Sequence, residues 1–134
     1  MKRIIAATLL VMLFTGVCFA EEPQAEIVFD KSTHNFGTFS EDNPVQTCTF
    51  TFKNTGKAPL VIVQAIATCG CTVPTYTDKP VPPGETGIIQ VTYNGKGRYP
   101  GHFKKVITVN TNAKQRLVRL TIEGEMVAKS ETNK

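Results

Sequence analysis

Short apolar alternations, each bounded by turn residues, recur about every ten residues through most of the chain, the spacing of short strands in an all-β domain. "EIVF" (26–29) and "HNFGTF" (34–39) predict two short strands, and "EDNP" breaks the chain at Pro44. "TCTFTFKN" (47–54) alternates strictly, with Cys48, Phe50 and Phe52 on one side and Thr47, Thr49, Thr51 and Lys53 on the other. That is a half-buried strand, because successive side chains of an extended chain point to opposite faces. "NTGKAP" (54–59) is a turn, and "LVIVQAIA" (60–67), apolar on both faces, predicts a central strand. "TCGC" (68–71) is a bend, and Pro74 in "TVPTY" (72–76) predicts an edge strand, since proline cannot donate to a ladder. A proline-stiffened loop (79–87) leads into "IIQVTY" (88–93), where Ile89, Val91 and Tyr93 share a face. "NGKGRYPG" (94–101) is a glycine-rich loop, and "FKKVITVNT" and "RLVRLTIEG" form a final pair joined near Asn112 and Ala113.

No window of this region sustains a 3.6-residue period, and β-branched and aromatic residues fill the periodic segments. The expected fold is therefore all-β: a single immunoglobulin-like sandwich of seven or eight antiparallel strands. The absence of tryptophan excludes the Cys–Trp–Cys core of antibody domains.

The N-terminus follows a different rule. Lys2 and Arg3 precede an apolar run over residues 4–14, and Cys18 and Ala20 stand at −3 and −1 to a cut before Glu21. This is the layout of a secretory signal peptide, with an apolar run too short to span a bilayer. A retained N-terminal anchor is one alternative. Lipidation at Cys18 is another, although Val17 departs from the small residue expected before a lipidated cysteine. The predicted organisation is a signal peptide (1–20), a polar lead-in (21–25), a sandwich domain (26–127) and a polar tail (128–134). Removing residues 1–20 leaves 134 − 20 = 114 residues; Lys+Arg falls from 15 to 13 against 11 Asp+Glu, a charge of +2. Those charges are interspersed, so neither nucleic acid nor anionic membrane is an implied partner, and no integral membrane segment follows the signal.

Export places Cys48, Cys69 and Cys71 in an oxidising compartment, where three cysteines allow at most one internal disulfide. Cys69-Gly70-Cys71 admits three readings. Gly70 permits the sharp backbone that a small-ring disulfide needs, giving a labile redox pair. Two thiolates also suit a soft ion such as Cu(I), or zinc if His34 and His102 complete the set. The third reading is a bend between two strands with its sulfurs packed or locally bridged. Cys48, on the side of Phe50 and Phe52, reads as core filler, with a cross-link to Cys69 or Cys71 as the alternative. Lys96, Arg98, Tyr99 and His102 cluster between glycines, as a mobile, mildly basic recognition loop or a plain connection. Hydrolytic chemistry finds no support: there is no Gly-x-Ser-x-Gly, and Ser32, Ser40 and Ser130 stand in no motif with a histidine.

In order along the chain, "HNFGTF", "FTFKNTGKAPLVI", "ATCGCTVP", "PVPPGETGIIQVTYN", "GHFKKVITVNTN" and "LTIEGE" resemble the bacterial DUF1573 family. That family belongs to the immunoglobulin-like superfamily that includes the ASPM/SPD-2/Hydin modules. The resemblance implies an exported Ig-like sandwich and no enzymatic activity. Two function classes follow. The first is a non-catalytic binding or structural module of the bacterial cell envelope, periplasmic or secreted, whose partner is a protein or glycan and which needs no cofactor. The alternative is a redox-active or copper- or zinc-handling protein built on Cys69 and Cys71.

Overall fold

The computed structural model describes residues 22–129. The expected signal peptide, Cys18 and most of the polar tail lie outside the described residues. The strands are β1 (Ile27–Phe29), β2 (Thr33–Ser40), β3 (Val45–Asn54), β4 (Ile62–Ala67), β5 (Thr72–Tyr76), β6 (Thr86–Asn94), β7 (Gly101–Thr111) and β8 (Leu117–Val127). They form two four-stranded sheets of order β1-β3-β6-β5 and β2-β8-β7-β4, the all-β sandwich expected from the alternation.

The period-2 pattern selects the buried face strand by strand. Phe50 and Phe52 of β3 and Ile89 and Val91 of β6 line the inner face of one sheet; Ile107, Val109, Leu120 and Ile122 of β7 and β8 answer them from the other. The threonines of β3 face outward, as the alternation requires, and Thr47 and Thr92 meet across the ladder at 3.2 Å. The lead-in is anchored at its end: Ala25 is buried, and the carbonyls of Gln24 and Ala25 accept from the N–H groups of Lys57 and Lys114.

Two features differ from the expectation. β2 runs parallel to β8, the exception among the otherwise antiparallel ladders of the described residues. β1 and β2 follow one another through the short segment Asp30–Ser32 and switch sheets there, so β2 keeps its heading when it reaches β8. The segment read as a central strand is an edge strand instead, because β4 pairs only with β7. Its outward Val63 and Ile66 are about half exposed, at 55% and 54%. Apolar side chains on both faces report face chemistry, not the number of neighbours; the turn at residues 68–71 carries the chain to the other sheet, so among the described residues no strand flanks β4 on its far side.

"NTGKAP" proves to be more than a turn. Asn54 is fully buried, and its Nδ2 donates to the carbonyls of Ala58 (2.7 Å) and Val81 (2.9 Å). Its Oδ1 accepts from the N–H groups of Glu26 (3.3 Å) and Gly56 (3.0 Å). One side chain thereby joins the lead-in, the β3–β4 turn and the proline loop. Gly56 lies against the backbone of Gln24–Glu26 with no room for a Cβ, which explains the glycine there.

Candidate functional site

One pole of the sandwich collects Cys69, Cys71, the 94–101 loop and His102. The end of β4 and the start of β5 meet there, together with the end of β6 and the start of β7. Their neighbours in register are fixed: Thr68 donates to the Val106 carbonyl at 3.1 Å, and the Cys71 carbonyl accepts from Asn94 N–H at 2.7 Å. Thr68 and Val106, 38 positions apart in sequence, and Cys71 and Asn94, 23 apart, thus become neighbours through the β4–β7 and β5–β6 ladders.

Cys69 and Cys71 are joined as a disulfide, with Cα atoms 5.4 Å apart. Cys71 is buried and Cys69 half-buried, and Thr72 N–H closes the turn onto the Cys69 carbonyl. Gly70 differs from expectation: its φ is not in the left-handed region, and a Cβ there would meet nothing within 4 Å. The disulfide therefore closes without a backbone that only glycine adopts.

His34 and His102 are not brought to the sulfurs. His34 sits on β2 and His102 on β7, with β8 between them. His34 Nδ1 lies 2.9 Å from Lys31 Nζ and its ring packs edge-on to Phe36; burial, then the Lys31 charge, holds its pKa below the ordinary 6.5. His102 Nε2 lies 4.0 Å from Glu123 Oε2. Among the described residues no three His, Cys, Asp or Glu side chains gather as a ligand set. The four-ligand site from Cys69, Cys71, His34 and His102 is thus corrected: its sulfurs bond each other and its histidines lie apart.

Cys48 carries the chain's free thiol among the described residues, buried at 6% exposure opposite Val91. It makes no cross-link to Cys69 or Cys71. Burial pushes its pKa up to about 11 from an ordinary 9.0, against a smaller opposing pull from Lys31. The folded protein holds this proton while the unfolded chain releases it, so stability is full below pH 9 and falls as pH rises towards 11. After allowance for solvent screening, the loss is about 1 kcal/mol. Urea unfolding at pH 8 and pH 10.5 is expected to show this decrement, reduced in Cys48→Val; an equal decrement in both proteins assigns it elsewhere. Tyr93, also shifted upward by burial, contributes in the same direction above its ordinary 10.0.

The glycine-rich loop forms the other wall of the pole. Asn94 Oδ1 accepts from Lys96 N–H at 3.0 Å, Arg98 N–H donates to the Gly95 carbonyl, and Gly97 takes φ +76°. Tyr99 stands 97% exposed. Beneath the loop Tyr93 and Phe103 stack with ring centroids 3.9 Å apart and planes 6° from parallel, and Phe39 meets both edge-on. Between loop and rings lies a groove of about 510 Å³ whose lining includes Lys96, Arg98, Tyr99, His102 and Lys105 and, among the described residues, no carboxylate. All four residues expected in a recognition loop therefore converge. Lys105 and the aromatic floor were missed, although the alternation offers a signal: Phe103, Lys105, Ile107 and Val109 share the inward parity, and Lys105 is the charge in that row. The arrangement can hold an anionic or hydrogen-bonding ligand on a firm aromatic base.

The DUF1573 family, described as proteins of unknown function, matches residues 27–126. The chain belongs to the DUF1573 family. This DUF1573 protein shares its fold with a protein of unknown function from Porphyromonas gingivalis W83, at TM-score 0.65 and 14% identity over 75% of this chain and 46% of that one. It thus spans just under half the length of that neighbour. PapD-like domain 7 of human CEP192, an ASH/PapD-like domain, aligns at TM-score 0.60 and 10% identity over 84% of this chain and 93% of that one. The periplasmic chaperone SfaE aligns at TM-score 0.54 and 9% identity over 78% of this chain and 59% of that one. At such identities the likeness establishes an immunoglobulin-like, PapD-like fold and nothing of function. No curated protein sequence matches the chain. Among the described residues, no helix is long and apolar enough to cross a membrane.

Proposed function

We propose that this DUF1573 protein is an exported, non-catalytic binding module of the bacterial cell envelope that recognises a protein or glycan through the pole bearing the 94–101 loop. The observation that carries this reading is the groove itself, where cationic side chains and an exposed tyrosine converge over a packed aromatic floor and no carboxylate among the described residues is part of the lining. The PapD-like fold and its periplasmic chaperone neighbour support a binding role, and the signal-peptide pattern supports export. Surface loops on a rigid sandwich are where such folds place recognition.

The disulfide favours a second reading, in which Cys69 and Cys71 exchange with thiols in the envelope. The two are separated by capturing partners from an envelope extract. On the binding reading, Lys96→Ala/Arg98→Ala/Tyr99→Ala loses the partner that the native protein retains, whereas Cys69→Ser/Cys71→Ser keeps it. Loss in the cysteine variant alone supports the redox reading instead.

A further inference from the structure

β7 is longer than the strand beside it. Its β8 partner covers Gly101 to Asn110, but its β4 partner covers only Ile107 to Thr111, extended by the contact between Thr68 and Val106. Beyond Thr68 the chain turns away through the disulfide-closed bend into the other sheet. The first half of β7 is thus a sheet edge, although the strand is internal further along.

The polarity of that edge can be read from its neighbours. Val106 accepts from Thr68, so its backbone groups face the β4 side, and alternation makes those of Lys104 and His102 face the same way. Among the described residues, no strand or side chain pairs with the N–H or C=O of His102 or Lys104 on that side. Along this open edge lies the groove, lined by Lys96, Arg98 and Lys105. On the outer face Lys104 and His102 stand opposite Glu123 and Glu125 of β8, so the uncompensated positive charge is on the groove side.

Building on the recognition reading above, the geometry points to strand addition. An extended acidic peptide occupies the line that β4 vacates, antiparallel to β7, pairs with the backbone of His102 and Lys104, and directs alternate carboxylates at Lys96, Arg98 and Lys105. Open edge groups supply affinity in this mode, and alternate side chains supply specificity. Charge complementarity selects an acidic occupant, since the groove lining contains cations and, among the described residues, no carboxylate.

The test uses the full chain and an acetylated, amidated heptapeptide alternating threonine and glutamate, read by fluorescence anisotropy and by amide exchange. The acidic peptide is expected to bind at least tenfold tighter than its threonine–lysine counterpart and to slow exchange at the His102 and Lys104 amides. Two further peptides are N-methylated on alternate amides, in opposite phase. One phase is expected to lose at least tenfold and the other to keep its affinity, because only one set of amides faces β7. Lys104→Pro, which deletes an N–H unused by β8, is expected to lose binding while Lys104→Ala retains it. Equal binding by both methylated peptides overturns strand addition while leaving recognition at this pole intact. So do His102 and Lys104 amides already protected without peptide, since the edge is then filled by the chain itself. If no peptide binds but the loop variant still loses its envelope partner, this inference falls and the recognition reading stands; if neither effect appears, both fall.

Discussion

Replacing Asn54 by alanine is expected to lower the unfolding free energy by about 3 kcal/mol, the cost of stranding several buried polar groups at once. The change leaves the Ala58 carbonyl and the N–H groups of Glu26 and Gly56 without their partner, and takes one of two bonds from the Val81 carbonyl, which keeps Leu60 N–H at 2.9 Å. Each buried, unsatisfied group costs about 1–3 kcal/mol, and partial hydration of the turn returns some of that. For a domain of this size the melting temperature is expected to drop by roughly 10–15 °C. Asn54→Asp is not expected to rescue: it keeps the acceptors, removes both donors and sets a carboxylate against two carbonyls. Far-UV circular dichroism melts measure this directly, and a loss below about 1 kcal/mol means the turn holds without its hub.

Phe103→Ala is expected to cost about 3 kcal/mol, near the low end for a large aromatic because the ring sits at the rim of the core. Phe103 is 8% exposed, stacks on Tyr93 and meets Phe39 edge-on, so its loss opens a cavity on which Tyr93 rests. The consequence extends to the site, since the same ring floors the groove beneath Lys96 and Arg98. Partner capture is therefore expected to fall even at temperatures where the variant is fully folded. Phe103→Leu keeps most of the volume without the stack and is expected to lose about 1–1.5 kcal/mol with partial binding. Urea unfolding beside capture at low temperature separates the two effects; full binding by folded Phe103→Ala removes the aromatic floor from the account.

Much of the architecture was legible because strand alternation reports a local property, the face a side chain takes. Cys48, Phe50 and Phe52 are buried and their threonine neighbours outward, as "TCTFTF" implies. Sheet order is not local, and alternation does not carry it. Nothing in "LVIVQAIA" records that its continuation leaves for the other sheet, so an edge strand read as a central one. The parallel β2–β8 pair is hidden for the same reason: it depends on a sheet switch at residues 30–32 and on a partner at the far end of the chain. Asn54 looked like a turn residue, because its bonds to Glu26 and Val81 reach 28 and 27 residues along the chain.

The site was visible only in pieces. The loop cations and the CxC bend each stood out in the sequence, but their shared pole is a product of two ladders. Gly70 invited an explanation from backbone freedom that its observed conformation does not require. The groove became a site only when Lys105 and the stacked rings joined the loop.

Recognition at this pole is open to site-directed photocrosslinking in the native envelope. A benzophenone side chain is placed at Tyr99, 97% exposed at the pole, and in a second protein at Val28, 52% exposed on β1. A discrete covalent adduct is expected from position 99 and none from position 28. Adducts from position 28 with none from position 99 contradict recognition at this pole.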